Sequence, residues 1–196
     1  MVEILTVIEI AAVILGLLSV YLTTKENIWC WPTGIAMVIL YIIVFYNARL
    51  YSDMLENFVY IFMQGFGWYY WIYGKNNAEK NKVPVTRMVM KSVFIWASII
   101  TIATIVVGYF MSSHTNADFA YLDALTTVMS LAAQWFLSIK LIESWILWIT
   151  VDVISTNIYA LKGLYFTAGL YGLFLILAIT GLVKWYKSMK KHKVSS

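Results

Sequence analysis

Seven apolar segments, each about as long as a bilayer-spanning helix, follow one another along the chain. They cover residues 4–24, 29–47, 51–73, 89–111, 122–140, 144–160 and 165–187. A helix needs about 20 mostly apolar residues to cross the hydrocarbon core. Only 12% of the 196 residues are charged, against about 25% in soluble domains. The sequence therefore predicts an all-α integral membrane protein with seven transmembrane helices and no separate soluble domain.

Several classes of protein fit the sequence poorly. HExxH, GxSxG and P-loop motifs are absent, and His114 and His192 lie outside the apolar segments, so we expect no enzyme, no cofactor and no metal site. A single cysteine, Cys30, excludes an intrachain disulfide framework. Lys184 stands at the end of the last segment, which argues against a retinal-binding lysine. The first segment has no basic stretch before it, so we expect a retained span.

The basic residues divide unequally between the two sides of the predicted bundle. With seven spans, 12 of the 14 lysines and arginines fall on one side, and Arg49 and Lys162 remain on the other. Cytoplasmic loops of membrane proteins carry the excess of basic residues. We therefore expect the amino terminus outside and the carboxyl terminus in the cytoplasm. The net charge of +4 then indicates contact with anionic membrane lipids, and no nucleic-acid partner is expected.

The spans resemble two related triplets separated by one connecting helix. At an offset of 114 residues, Leu50, Tyr51, Gly67 and Trp71 correspond to Leu164, Tyr165, Gly181 and Trp185. In the second spans WPTG (31–34) resembles WITV (148–151), three residues out of that register. Parallel repeats of this kind form one known transporter plan. The predicted boundaries are 1–73 for the first three-helix repeat, 74–88 for a cytoplasmic linker, 89–111 for the connecting helix, 112–187 for the second repeat and 188–196 for a basic cytoplasmic tail.

Three of the segments carry a polar, aromatic stripe on one helical face. The stripes hold Asp53, Asn57, Tyr60, Gln64, Trp68 and Trp71 on the third segment, Asp123, Thr126, Thr127, Ser130, Gln134 and Ser138 on the fifth, and Trp145, Trp148, Asp152, Ser155, Thr156 and Tyr159 on the sixth. Asn157 lies off the sixth stripe unless the helix unwinds there. Because an unpaired carboxylate facing lipid costs several kcal/mol, the stripes predict a polar cavity inside the bundle. The amides could instead bond helix to helix, and the terminal tryptophans could form an interfacial belt.

Asp152 is the ionisable group that most needs an explanation, because it lies well inside the sixth segment. Trp145, Trp148 and Asp152 follow the spacing i, i+3, i+7 and share one face. Indole faces attract cations and stack on flat rings, and a carboxylate beside them adds a counter-charge. This face therefore fits a flat, cationic aromatic molecule, whose polar substituents would be bound by the amides of Asn57, Gln64 and Gln134. Alternatively, Asp152 relays protons or sodium ions in a coupled symporter.

Three strings of residues resemble the PnuC family of bacterial vitamin-precursor transporters. They are the WxxW pair of Trp145 and Trp148 followed by Asp152, the sequence GLYFTA (163–168), and RLYSDMLENFVYIFMQGFGWYYW (49–71). The similarity covers about residues 27–73 and 121–187. It implies a seven-helix fold related to the SWEET transporters, built as 3+1+3 and assembled as a homotrimer in the bacterial inner membrane.

The resemblance also implies a substrate and a mode of transport. Nicotinamide riboside would enter by facilitated diffusion and would be trapped by phosphorylation in the cytoplasm. Binding would occur near Trp145 and Trp148, with Asp152, Gln134, Asn57, Gln64, Asn157, Tyr60 and Trp68 as further candidate substrate-binding residues. The alternatives are a family member that carries thiamine or another vitamin, an ion-coupled symporter that uses Asp152, and a membrane protein with no transport role.

Overall fold

The computed structural model describes residues 2–49, 51–74, 83–114 and 119–194, with the backbone alone for residues 2, 51–53 and 192–194. Leu50, the side chains of Tyr51 and Asp53, and most of the predicted linker therefore lie outside the described residues. Seven helices are present in the described part of the chain. They are α1 (Val2–Thr24), α2 (Cys30–Ala48), α3 (Tyr51–Tyr73), α4 (Met90–His114), α5 (Ala120–Ser138), α6 (Glu143–Leu161) and α7 (Tyr165–Val194).

The helices follow the apolar segments closely, which confirms the predicted all-α class. Their ends have local causes. α2 ends at a left-handed residue, Arg49 (φ 59°), whose backbone N–H donates to the carbonyls of Phe45 and Tyr46. Gly163 (φ 73°) takes the same conformation between α6 and α7. α7 runs seven residues past the predicted end of the last apolar segment, because its lysine-rich continuation contains neither proline nor glycine.

Five of the helices have the length and composition of membrane spans. Within the described residues these spans are Glu3–Thr24, Cys30–Ala48, Met90–His114, Glu143–Leu161 and Tyr165–Lys191. α3 and α5 are less apolar, because they carry two of the polar stripes. The protein is therefore a multi-pass membrane protein with five clearly apolar spans, and the crossing of α3 and α5 remains a prediction.

Six of the helices form a closed ring, with α4 on its outside. In the described residues α1 packs on α2, α2 on α3, α3 on α5, α5 on α6, α6 on α7, and α7 returns to α1. α4 packs against α5 alone among these helices. We call α1, α2 and α3 the first triplet, and α5, α6 and α7 the second triplet. Each contact in the ring has a counterpart when the first triplet is matched in order to the second.

Four tryptophans at one end of the ring make the same contacts in each triplet. Trp31 meets Trp71 edge-on, with ring centroids 5.2 Å apart and an interplanar angle of 89°. Trp145 meets Trp185 in the same way, at 5.4 Å and 89°. We call these four residues the tryptophan cluster. Since both pairs differ by 114 residues, the equivalent of Trp31 is Trp145. The contacts thus favour this match over the similarity of WPTG to WITV, which would match Trp31 to Trp148.

A glycine allows Trp31 and Trp145 each to lie flat against the neighbouring helix. The ring of Trp31 on α2 fills the space that a side chain at Gly67 on α3 would occupy. The ring of Trp145 on α6 does the same at Gly181 on α7. Both tryptophans are 2% exposed. The second and third helices of each triplet are thus held together by an indole packed on a glycine.

We predict that Gly67→Ala destabilises the protein, because an added Cβ would lie 2.6 Å from Cζ3 of Trp31. Overpacking of this kind costs about 1–3 kcal/mol. The matched control is Gly65→Ala on the same helix, where an added Cβ meets no atom within 4 Å. That control removes the flexibility of glycine and should stabilise α3 by about 0.5–1 kcal/mol. Thermal unfolding in detergent compares the two variants, and equal Tm values would contradict the packing described here.

Candidate functional site

Asp152 lies on the inner side of α6, where it is 4% exposed. In the part of the chain that the structure describes, its carboxylate has no hydrogen-bond or ion-pair partner. The hydroxyl of Tyr171 on α7 interacts with it electrostatically. Charges inside membrane proteins are normally paired or directed into water-filled cavities. An unpaired carboxylate in this position is therefore suited to bind a positively charged solute or ion.

The two tryptophans of the WxxW pair lie in different surroundings. Trp145 is buried in the tryptophan cluster, against Gly181 and Trp185, and the described residues offer its indole N–H no hydrogen-bond partner. Trp148, one turn further along α6, is partly buried and packs against the side of this cluster. One further turn leads to Asp152. Of the two indoles, Trp148 is thus the more accessible and the nearer along the helix to the carboxylate.

The predicted amide residues of α3 and α5 are buried on helices that pack against each other. Asn57, Gln64 and Gln134 are 9%, 6% and 8% exposed, respectively. The amide oxygen of Gln64 lies directly over Gly34 of α2, in the space that a side chain there would fill. The helices α3 and α5 are also joined by the hydroxyl of Ser138, which donates to the carbonyl of Met63 at 3.2 Å. Buried amides of this kind supply donors and acceptors to a bound solute or to a neighbouring helix.

Tyr60 and Tyr171 connect the α3 stripe with Asp152. The hydroxyl of Tyr60 donates to Oε1 of Glu56 at 3.0 Å, and it interacts with Ser130 on α5 and with Tyr171. The ring of Tyr171 stacks on Tyr159, with centroids 5.3 Å apart and an angle of 16°. The interior of the ring thus contains a polar, aromatic region to which α3, α5, α6 and α7 all contribute.

Sequence reasoning missed Tyr171, which does not belong to any of the three polar stripes. The offset of 114 residues could have found it, because it matches Tyr171 with Asn57, a residue that the α3 stripe did identify. Periodicity within α7 gives no such signal, because the helix is apolar on most of its faces.

Two of the predicted site residues, Asn157 and Trp68, are exposed, in contrast to the buried groups. Asn157 is exposed, and its amide donates to the carbonyl of Val153 in its own helix at 2.8 Å. Because α6 is continuous through Leu161, the unwinding that would turn Asn157 inward is not present. Trp68 on α3 is 38% exposed. The structure therefore brings the buried carboxylate, the three amides, Tyr60 and Trp148 to the inner side, and leaves these two residues apart from them.

The family to which the chain belongs is clear from its sequence. The family model described as nicotinamide mononucleotide transporter matches residues 6–187. The nicotinamide riboside transporter PnuC of Escherichia coli (strain K12) is 27% identical over 208 residues, which cover 94% of this chain and 87% of that protein. The riboflavin/roseoflavin transporter RibM of Streptomyces davaonensis is 22% identical over 174 residues, which cover 88% of this chain and 81% of that protein.

The fold also matches a solved structure, described as the crystal structure of the vitamin B3 transporter PnuC. The TM-score is 0.74 at 24% sequence identity, and the match covers 94% of this chain and 83% of that one. The chain, with its ring of helices and its buried carboxylate, therefore belongs to the nicotinamide mononucleotide transporter family, in agreement with the resemblance identified from its sequence.

Proposed function

We propose that this chain is a membrane transporter that takes up nicotinamide riboside by facilitated diffusion. The observation that carries the proposal is the unpaired, buried carboxylate of Asp152. Nicotinamide riboside contains a flat pyridinium ring with a positive charge, and its ribose carries hydroxyl groups. The ring would stack on the indole face of Trp148, while Asp152 would balance the charge.

The remaining polar groups would bind the ribose and the carboxamide. Asn57, Gln64, Gln134 and Tyr60 supply suitable donors and acceptors, and Tyr171 adds a hydroxyl that interacts electrostatically with Asp152. Trp145 would contribute its unpartnered indole N–H, which is buried at one end of this region. Asn157 and Trp68 stay candidates by prediction only, since both are exposed and Asn157 bonds to the carbonyl of Val153 in its own helix.

The proposed transport cycle uses the two triplets as repeats in a 3+1+3 arrangement. The matching order of helix contacts and the matching tryptophan pairs support this, with α4 as the connecting helix. One triplet would rock against the other to expose the site alternately to the two sides. The charge asymmetry supports an amino terminus outside and a carboxyl terminus in the cytoplasm. α3 and α5 would also span the membrane, their polar stripes facing inward.

The proposal also includes assembly of the chain into a homotrimer and trapping of the substrate in the cytoplasm. α4 packs against one helix of its own chain and leaves most of its apolar surface uncovered, which would suit contacts with lipid and with other copies in a homotrimer. A passive carrier would also need phosphorylation of the riboside in the cytoplasm to retain it, a reaction for which this chain offers no motif.

We predict that Asp152→Asn selectively weakens binding of the positively charged substrate. Nicotinamide riboside and its reduced, uncharged dihydro form have nearly the same shape, so the ratio of their affinities measures the charge contribution. Removal of the counter-charge should reduce the affinity for the cation on the order of 10- to 100-fold and should leave the reduced form nearly unchanged. Competition against labelled riboside in proteoliposomes measures both values.

The matched control for this prediction is Asp123→Asn in the first turn of α5, which removes a carboxylate that is only half-buried. It should change neither affinity. An equal loss of both ligands in Asp152→Asn would show that the carboxylate supports the fold or binds a hydroxyl, and would contradict its role as a counter-charge.

We further predict that uptake is uncoupled from ion gradients. In proteoliposomes held at zero membrane potential with valinomycin and equal potassium on both sides, labelled nicotinamide riboside should equilibrate to the same final level with or without an imposed proton or sodium gradient. Accumulation that follows either gradient, and that is abolished in Asp152→Asn, would favour the ion-coupled symporter. Failure of any uptake by correctly folded protein would favour a membrane protein without a transport role, in which the amides bond helix to helix.

A further inference from the structure

The two triplets are bonded to each other at the end of the ring that contains the tryptophan cluster. The rings of Trp71 and Trp185, one from each triplet, have centroids 5.9 Å apart. They form the centre of the tryptophan cluster, with Trp31 and Trp145 at its two ends. The indole N–H of Trp71 donates to the carbonyl of Leu137 at 3.3 Å, and that of Trp185 donates to the carbonyl of Thr23 at 3.0 Å. Thr23 and Leu137 are 114 residues apart, so the same bond is made in both directions.

These contacts differ in kind from those inside each triplet. Within a triplet, Trp31 and Trp145 pack closely on glycines, and the described residues offer their indole N–H groups no partner. Between the triplets, the indoles donate to carbonyls in the last turn of α1 and of α5. Both carbonyls also accept a backbone N–H from the following turn, that of Glu26 for Thr23 and that of Lys140 for Leu137, so loss of the indole donor leaves neither carbonyl without a partner. The boundary between the triplets can therefore separate without breaking the packing inside either one.

An ion pair crosses the same boundary. Nζ of Lys140, in the turn between α5 and α6, lies 2.9 Å from Oε2 of Glu26, in the turn between α1 and α2. Both residues are in the left-handed conformation, with φ of 56° and 52°, which is uncommon for residues other than glycine. They are again 114 residues apart. Corresponding positions of the two triplets thus carry opposite charges, and their side chains form an ion pair.

The segment before α4 covers this ion pair. Lys140 also donates to the carbonyl of Val83 at 2.8 Å, and its Nζ lies 4.4 Å from the centre of the Trp71 ring. Val83 and Val85 are 5% and 3% exposed. The backbone of Thr86 pairs with the α5–α6 turn, donating to the carbonyl of Lys140 at 3.0 Å. This segment is therefore attached to the second triplet.

We propose that the tryptophan cluster and the Glu26–Lys140 ion pair, covered by Val83–Val85, form a gate that is closed in this structure. Its position among the basic loops assigns it to the cytoplasmic side. Solute would leave when the triplets separate at Trp71 and Trp185 and the ion pair breaks. The proposal rests on the proposed transport cycle, since it assigns the parts of one triplet that move away from the other.

The single native cysteine can report whether the gate opens. Cys30 is 2% exposed and belongs to the same buried cluster as Trp31, Trp71 and Trp185. A maleimide should therefore modify it only when the gate is open. Glu26→Gln removes the charge from the ion pair while keeping the shape of the side chain. We expect it to raise the rate of Cys30 modification on the order of three- to tenfold in the purified full chain.

The matched control is Glu143→Gln. Glu143 on α6 pairs at 3.6 Å with Arg87, which lies in the segment before α4. That segment is attached to the second triplet, so the substitution removes no bond between the triplets. The rate of Cys30 modification in Glu143→Gln should stay at the wild-type value. Lys140→Met provides a second variant from the other side of the ion pair and should also accelerate labelling. Thermal unfolding and size-exclusion elution verify that the variants stay folded.

Acceleration in Glu26→Gln and Lys140→Met but not in Glu143→Gln would support the gate. Wild-type rates in both gate variants, or equal acceleration in Glu143→Gln, would overturn it. Nicotinamide riboside is absent from this assay, so an error in the proposed substrate cannot produce a negative result.

Discussion

A bilayer offers a polar side chain neither water nor hydrogen-bonding partners, and this constraint shapes the whole bundle. Asp152, Gln64 and Gln134 would be costly on a lipid-facing surface, and all three are buried inside the ring. The helices that carry most polar residues, α3 and α5, pack against each other. The apolar α4 lies outside the ring. The arrangement of the helices thus follows from where their polar groups can be placed.

The same constraint makes the interior of the ring suitable for binding a charged solute. Most buried polar groups in membrane proteins bond to one another, but Asp152 has no such partner among the described residues. A solute that brings a positive charge would complete the proposed site, and the carboxylate would then favour cationic substrates over neutral ones. The relatives include transporters named for nicotinamide riboside and for riboflavin. A charge at this position is the physical feature that would separate these two substrate classes.

Sequence periodicity and composition predicted the helices and much of the candidate site. The apolar runs located seven helices, and the polar stripes identified Asp152 and the three amides as buried groups. Contacts between distant segments were harder to predict. Two tryptophans three residues apart on α6 both resemble Trp31 locally, and only packing against Gly67 and Gly181 identifies Trp145 as the equivalent.

The Glu26–Lys140 ion pair is a second contact that could not be predicted from the sequence. Glu26 and Lys140 lie in short turns that look unremarkable in sequence, and no helical period relates them. Only the internal offset of 114 residues connects them, and an equivalence of positions does not by itself imply contact. Their meeting depends on two turns that reach across the end of the ring, which requires the three-dimensional arrangement of both triplets.

Calorimetric titration of the detergent-purified protein with nicotinamide riboside, thiamine and riboflavin, each added separately, tests the central claim most directly. The account predicts saturable binding of nicotinamide riboside and no binding of the uncharged riboflavin. Binding of riboflavin without nicotinamide riboside would contradict the role assigned to Asp152, and binding of thiamine alone would move the protein to another cationic vitamin. Silence with all three ligands would contradict a vitamin-binding site.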